Sequence, residues 1–329
     1  MKPWVHIAII ACAAHSAFAG CPIPRSRMTN PAVTSVLNRL NSGGSFSGIE
    51  IMHLSRLHLT QQLAAALLDG TTQRRKTLDR PGVDLMADLG RDIIPEADGG
   101  SERFSPIVTN PPAVAYVACL LESPDSDARD EAGAILADQV PAAALTPLAK
   151  AILDALHKFP GVTGGALILG RLGSKQALDL LESSEDLRLT SPDDTEIALA
   201  RLGDKAAEAR VLSSYRTAAG PREKADQALR VGYAATRDAI LTLARDFRTG
   251  ESYVWRMNSR RSLRISIAAG LHRAFLSEPI FWKPEYKPHD DSYYERIEAW
   301  ITAKMGVTWT QPRPPFLYEE DAPLPPGVH

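Results

Sequence analysis

One segment recurs three times along the chain. Residues 166–177 read ALILGRLGSKQA, residues 196–207 read EIALARLGDKAA, and residues 225–236 read ADQALRVGYAAT more loosely. Counted from the shared Arg171, Arg201 and Arg230, the periods are 201 − 171 = 30 and 230 − 201 = 29 residues. A self-similar period of this length marks stacked supersecondary units, each unable to bury its apolar face alone.

The local chemistry within each copy says where helices stop and start. Leu167, Leu169 and Leu172 precede a glycine at helical spacing, and Ala177, Leu178, Leu180 and Leu181 follow it, so each set makes one apolar stripe. Gly173 and Gly203 suit the left-handed residue that ends a helix, and Gly232 holds the matching place in the third copy. Ser174 and Asp204 suit the N-cap of the next helix. Each implied helix is about nine to twelve residues long, too short to be stable alone, so stacking on neighbours must hold it.

These copies resemble the HEAT-repeat family of bacteria, specifically the short phycobilisome-lyase-like type, A-L-x-x-L-G-D-x-x-A-x-x-x-L. The match runs through Leu199, Leu202, Gly203, Asp204 and Ala207, through Leu169, Leu172, Gly173 and Ala177, and partly through Ala228, Val231 and Gly232. Degenerate copies fall at residues 131–140, where Val140-Pro141 replaces Leu-Gly, and at 262–271. The resemblance covers about half of the chain. It implies an all-α fold, a right-handed α-solenoid of HEAT-like hairpins whose concave surface meets a protein partner. It carries no lyase activity over, since no bilin-binding cysteine motif is visible.

The first residues read as a secretory signal peptide: Lys2, an apolar core over residues 5–14 too short to span a bilayer, then Ala17-Phe18-Ala19. The expected organisation is a signal peptide over 1–19, a less regular helical region with loops over 20–112, the repeats over 113–277, and an aromatic, Pro-rich segment over 278–329. In the second part, residues 31–40 and 54–68 read as helices, with Pro81-Gly82 and residues 98–101 as breakers. Residues 292–305 read as an aromatic helix that caps the stack, and residues 312–326 as a polyproline-like tail.

Cysteine usage follows from the export reading. Cys12 leaves with the signal, so Cys21 and Cys119 remain, able to form a disulfide in an oxidising compartment. Alternatively Phe18-Ala19-Gly20-Cys21 resembles a lipobox, in which case Cys21 is lipidated, the protein is anchored to the membrane and Cys119 is a lone thiol.

Charge is uneven along the chain, with 14 acidic against 6 basic residues over 121–200 and 7 against 15 over 201–275. Solvated helix faces give such runs, and so does steering of an acidic protein or peptide partner. Nucleic acid is not expected, because an exported chain rarely meets it. Arg171, Arg201 and Arg230 recur at one repeat position and should form a ladder. Such a ladder either pairs with neighbouring acids or, with Arg260, Arg261 and Arg264, presents planar donors to carboxylates.

Catalytic patterns are scarce. Residues 43–48 (GGSFSG) lack the spacing of a nucleophile elbow and read as a linker. His53 and His58 are five apart and do not share a helix face, so they cannot act as a zinc pair. His289-Asp290-Asp291 reads as a helix cap rather than a metal site. No cofactor, metal or catalytic residue is expected. The leading expectation is an exported, non-enzymatic scaffold for a protein or peptide in the cell envelope. A hydrolase or metal-dependent enzyme with its site near His289 or in the N-terminal region is the first alternative, and a purely structural envelope component the second.

Overall fold

The structure, a computed structural model, describes residues 23, 30–69, 75–95, 102–256, 259–278 and 292–313. It is mostly helical. Strand among the described residues is confined to two antiparallel two-stranded hairpins. The chain divides into two compact units, Met1–Ile168 with Ser184–Thr190, and Leu169–Ser183 with Ser191–His329. The sequence boundary at residue 112 lies within the first of them. The expected signal peptide, most of the Pro-rich tail and His289-Asp290-Asp291 lie outside the described residues.

The first unit contains α1 (Pro31–Asn41), α2 (Gly48–Arg56), α3 (Thr60–Asp69), α4 (Arg75–Gly90), strands β1 (Arg91–Pro95) and β2 (Glu102–Val108), α5 (Pro111–Cys119), α6 (Ser126–Asp138), α7 (Ala142–Leu145) and α8 (Ala149–Lys158). Helix α9 (Gly165–Leu172) runs across the division, α10 (Lys175–Ser183) belongs to the second unit, and α11 (Glu185–Thr190) returns to the first. At the centre is α5, buried from Ala113 to Cys119 and packed by α3, α4, α6 and α8.

Two sequence expectations change here. The helix over 54–68 is two helices, because His58 adopts a left-handed backbone (φ 52°) and breaks the run after Arg56. Conversely, Pro81-Gly82 breaks nothing: α4 passes through both. Its packing against α5 outweighs the one hydrogen bond that proline removes. Gly82 is needed for the close approach, since a Cβ there would lie 2.4 Å from the Tyr116 hydroxyl. The linker at 43–48 has a defined end, where Ser47 and Glu50 form a capping box at the start of α2.

The second unit continues with α12 (Pro192–Arg201), α13 (Lys205–Arg216), α14 (Pro221–Ala234), α15 (Arg237–Asp246), strands β3 (Ser252–Arg256) and β4 (Ser259–Ser262), α16 (Leu263–Ala274) and α17 (Ser292–Met305). The last of these has the bounds read from the sequence. Two of the three corners are as expected. Gly173 (φ 64°) and Gly203 (φ 103°) take left-handed backbone, the Ser174 hydroxyl accepts from Ala177 N–H at 3.1 Å, and Asp204 accepts from Ala206 and Ala207 N–H at 2.8 and 3.0 Å.

The third corner is displaced by three residues. Helix α14 runs through Gly232 and turns at Ala235 (φ 57°), after which the Thr236 hydroxyl accepts from Ala239 N–H. Gly232 serves packing instead: a Cβ on it would fall 2.5 Å from the carbonyl carbon of Gly270 on α16. The α14–α16 interface is the most extensive helix contact of the unit.

The apolar stripe is also offset from its sequence reading. Ile168, Leu169, Ala198 and Ala200 are buried, whereas Leu172 and Leu202 are only half-buried, being the last residues before an exposed glycine. Truncating a fully buried leucine such as Leu169 to alanine costs about 2–5 kcal/mol.

Candidate interaction surface

Arg171 and Arg201 occupy the ends of their helices, and the displaced corner explains what they meet. Arg171 and Arg201 each stand two residues before a corner glycine, and two residues before the Ala235 corner stands Tyr233. Both guanidinium groups approach the Tyr233 ring, Arg171 at 5.1 Å and Arg201 at 5.8 Å from its centroid. Arg171 Nε donates to the Tyr233 hydroxyl at 2.9 Å, and its Nη2 donates to the Arg273 carbonyl at 2.5 Å. Arg201 donates to the carbonyls of Tyr233 at 3.0 Å and Ala274 at 3.1 Å.

These carbonyls end α14 and α16, where the helix dipole is negative and acceptors lack intrahelical donors. Two cations thereby satisfy two helix termini and tie α9, α12, α14 and α16 at one edge. Burial, together with the like charge of Arg171, lowers the Arg201 guanidinium to about 10, which leaves it charged at neutral pH.

Arg230 is elsewhere, because the third copy is out of phase with its corner. It pairs with Asp193 at 2.9 Å and approaches Glu196 at 3.9 Å, and Glu196 in turn holds Arg210 at 2.5 Å. Arg264 is buried and stacks on Tyr294 of α17 at 4.2 Å. Arg260 and Arg261 are on β4, opposite Val254 and Tyr253 of β3. The structure thus brings Arg171 and Arg201 together and sends Arg230 and Arg264 to other partners. Of the cysteines, Cys119 is disulfide-bonded; Cys21 lies outside the described residues.

Sequence reasoning missed Tyr233. Counting back from the true helix end, rather than from Gly232, would have found it. It also missed a buried carboxylate on α17: Glu298 binds Arg248 through two hydrogen bonds (2.5 and 2.9 Å) and Arg313 at 2.9 Å. Burial favours the neutral acid here, but the hydrogen bonds from Arg248 and Arg313 outweigh it and hold the carboxyl below its usual range. Phe247 and Trp309 pack beside this clamp with ring centroids 6.2 Å apart.

No protein-family model, curated protein or solved structure matches this chain. What the arrangement can do is therefore read from its own residues. Among the described residues, no three His, Cys, Asp or Glu side chains are grouped to hold a metal ion, and no helix is long and apolar enough to cross a membrane. His53 and His58 are both exposed.

Three concavities among the described residues are of interest. One of about 340 Å³ in the first unit has an apolar floor of Leu40, Phe46 and Leu85 and a rim carrying Asp84 and Asp88. Desolvation raises both carboxyls, and for Asp84 the charge of Glu131 adds to it. A second, about 350 Å³, lies between α15 and residues 307–311. A third, about 640 Å³, is an open groove between the start of α14 and strand β3.

Proposed function

We propose that this chain is an exported, non-enzymatic interaction module: a right-handed α-solenoid of HEAT-like hairpins that holds a protein or peptide partner in the bacterial cell envelope. The observation that carries the reading is the order of packing in the second unit. First helices of successive pairs touch, α12 on α14 and α14 on α16, and so do second helices, α13 on α15 and α15 on α17. Such an order supports nearest-neighbour stacking, the arrangement in which each hairpin depends on the next and exposed faces can join into one surface. The Arg171–Tyr233–Arg201 brace supports it, because its donors are spent on helix ends within the stack.

Export is supported by the pattern of residues 1–19 and by the disulfide at Cys119, a bond that persists in oxidising compartments. Mature protein carrying a photo-crosslinker, titrated into an envelope fraction, should form one cross-linked species that saturates. Absence of any saturable species, or turnover of a substrate by the pure protein, would overturn the reading.

A further inference from the structure

The concavity of about 350 Å³ between α15 and residues 307–311 lies wholly within the second unit, and its outer wall is pinned. Trp309 Nε1 donates to the Thr302 hydroxyl of α17 at 2.9 Å. Arg248 donates to the Gln311 carbonyl at 2.9 Å, and its guanidinium lies 4.7 Å from the Trp309 ring. Leu241, Ala244, Val307 and Trp309 make the lining apolar. Leu241, Val307 and Trp309 are only half-buried, which leaves apolar surface for an occupant to cover.

The lining carries charge of one sign. Its charged residues are Arg245 and Arg248, and no acid joins them. Arg248 is committed to Glu298, whose other partner is Arg313. Arg245 is exposed and, among the described residues, has no hydrogen-bond or ion-pair partner. The acids of α15 are turned to other work: Asp246 holds Lys224 at 2.7 Å and accepts from the Tyr215 hydroxyl at 2.8 Å, and Asp238 acts on Lys205. A free guanidinium beside an apolar lining selects a carboxylate on an apolar body, because its planar fork takes both oxygens at once.

The outer wall distinguishes a chain end from a free acid. Residues 307–310 make no backbone–backbone hydrogen bond among the described residues, and Thr308 and Thr310 are exposed. Backbone N–H and C=O groups left open in this way suit the peptide groups that precede a C-terminal carboxylate, which a free acid lacks.

We propose that this concavity holds the C-terminus of a partner chain that ends in an apolar residue. Arg245 pairs with the terminal carboxylate, and the last side chain lies against Leu241, Val307 and Trp309. This rests on the interaction-module reading and names the chemistry of the partner.

The probe is the peptide Gly-Ser-Gly-Ser-Leu-Phe, labelled with fluorescein at its N-terminus and free at its C-terminus, followed by anisotropy on the full mature chain. Saturable binding is expected. It should weaken at least tenfold when the C-terminus is amidated and at least tenfold when the last residue is Ser. Arg245→Ala should weaken it about tenfold; Arg245 has no described partner to lose, so the fold is kept. No binding, equal binding of the acid and the amide, or undiminished binding to Arg245→Ala would overturn the assignment. Hydrocinnamate that competes as tightly as the peptide binds would make the occupant a free acid and overturn the chain end. If the peptide fails while the photo-crosslinked envelope species still saturates, this site falls and the module reading stands; if both fail, both fall.

Discussion

Replacing Gly232 with alanine sets two effects of opposite sign against each other. Helix propensity favours alanine by about 1 kcal/mol in the interior of α14. Against that, the new Cβ lies 2.5 and 2.6 Å from the carbonyl carbon and Cα of Gly270, where ordinary contact begins at 3.4 Å. Both neighbours are backbone, so neither can rotate away. The helices must part by about 1 Å, a gap that forfeits a quarter to a half of each dispersion contact along the interface. Overpacking of this kind costs about 1–3 kcal/mol, and backbone neighbours place it toward the upper end. The net expectation is destabilisation of about 2 kcal/mol. Urea unfolding read by tryptophan fluorescence suits the measurement, since Trp255, Trp282, Trp300 and Trp309 all belong to the second unit. A Gly232→Ala protein more stable by about 1 kcal/mol would mean that propensity wins and that α14 and α16 do not cross at these glycines.

Arg171→Ala should lower the same transition by about 2 kcal/mol, because it leaves the Tyr233 hydroxyl and the Arg273 carbonyl without that donor in a buried place; unchanged stability would refute the brace. Glu298→Gln should flatten the acid limb of stability. The folded carboxyl is held low, so its contribution is present above the ordinary value of 4.5 and drains away as pH falls through the folded value. Wild type and variant should therefore diverge above about pH 4.5 and converge in acid, and parallel curves would contradict the clamp. Reduction with a phosphine under native conditions should raise the intact mass by about two daltons per disulfide opened at Cys119 and lower the melting temperature, a native disulfide being worth about 2–4 kcal/mol. No mass change would contradict that bond.

Legibility followed the range of the interaction. The corners at Gly173-Ser174 and Gly203-Asp204 were readable because a left-handed residue followed by an N-cap is local chemistry. The helix over 292–305 has the bounds read from the sequence. The third corner was not, because Gly232 matches the repeat motif but is used for contact with Gly270, thirty-eight positions along (270 − 232), leaving Ala235 to bear the positive φ. Leu172 and Leu202 looked like core because spacing assigns a face but not how far along the helix its burial extends. The candidate site divides the same way. That Arg171 and Arg201 belong together followed from their period; that Tyr233 is what they meet depends on contacts across 62 and 32 residues. Strands β1 to β4 left no signal in a helix-dominated pattern, since their residues neither alternate cleanly nor carry a two-residue turn motif.

The stacking of successive hairpins is most directly tested by one distance. Lys175 and Arg237 are exposed residues in the first turns of α10 and α15, just after the first and third corners. Spin labels there, on a chain with both residues changed to cysteine, should report a single narrow separation. Two interhelical steps of about 8–10 Å each put it near 20 Å. A broad distribution, or a separation beyond about 35 Å, would mean that the corners do not follow one another along a common edge.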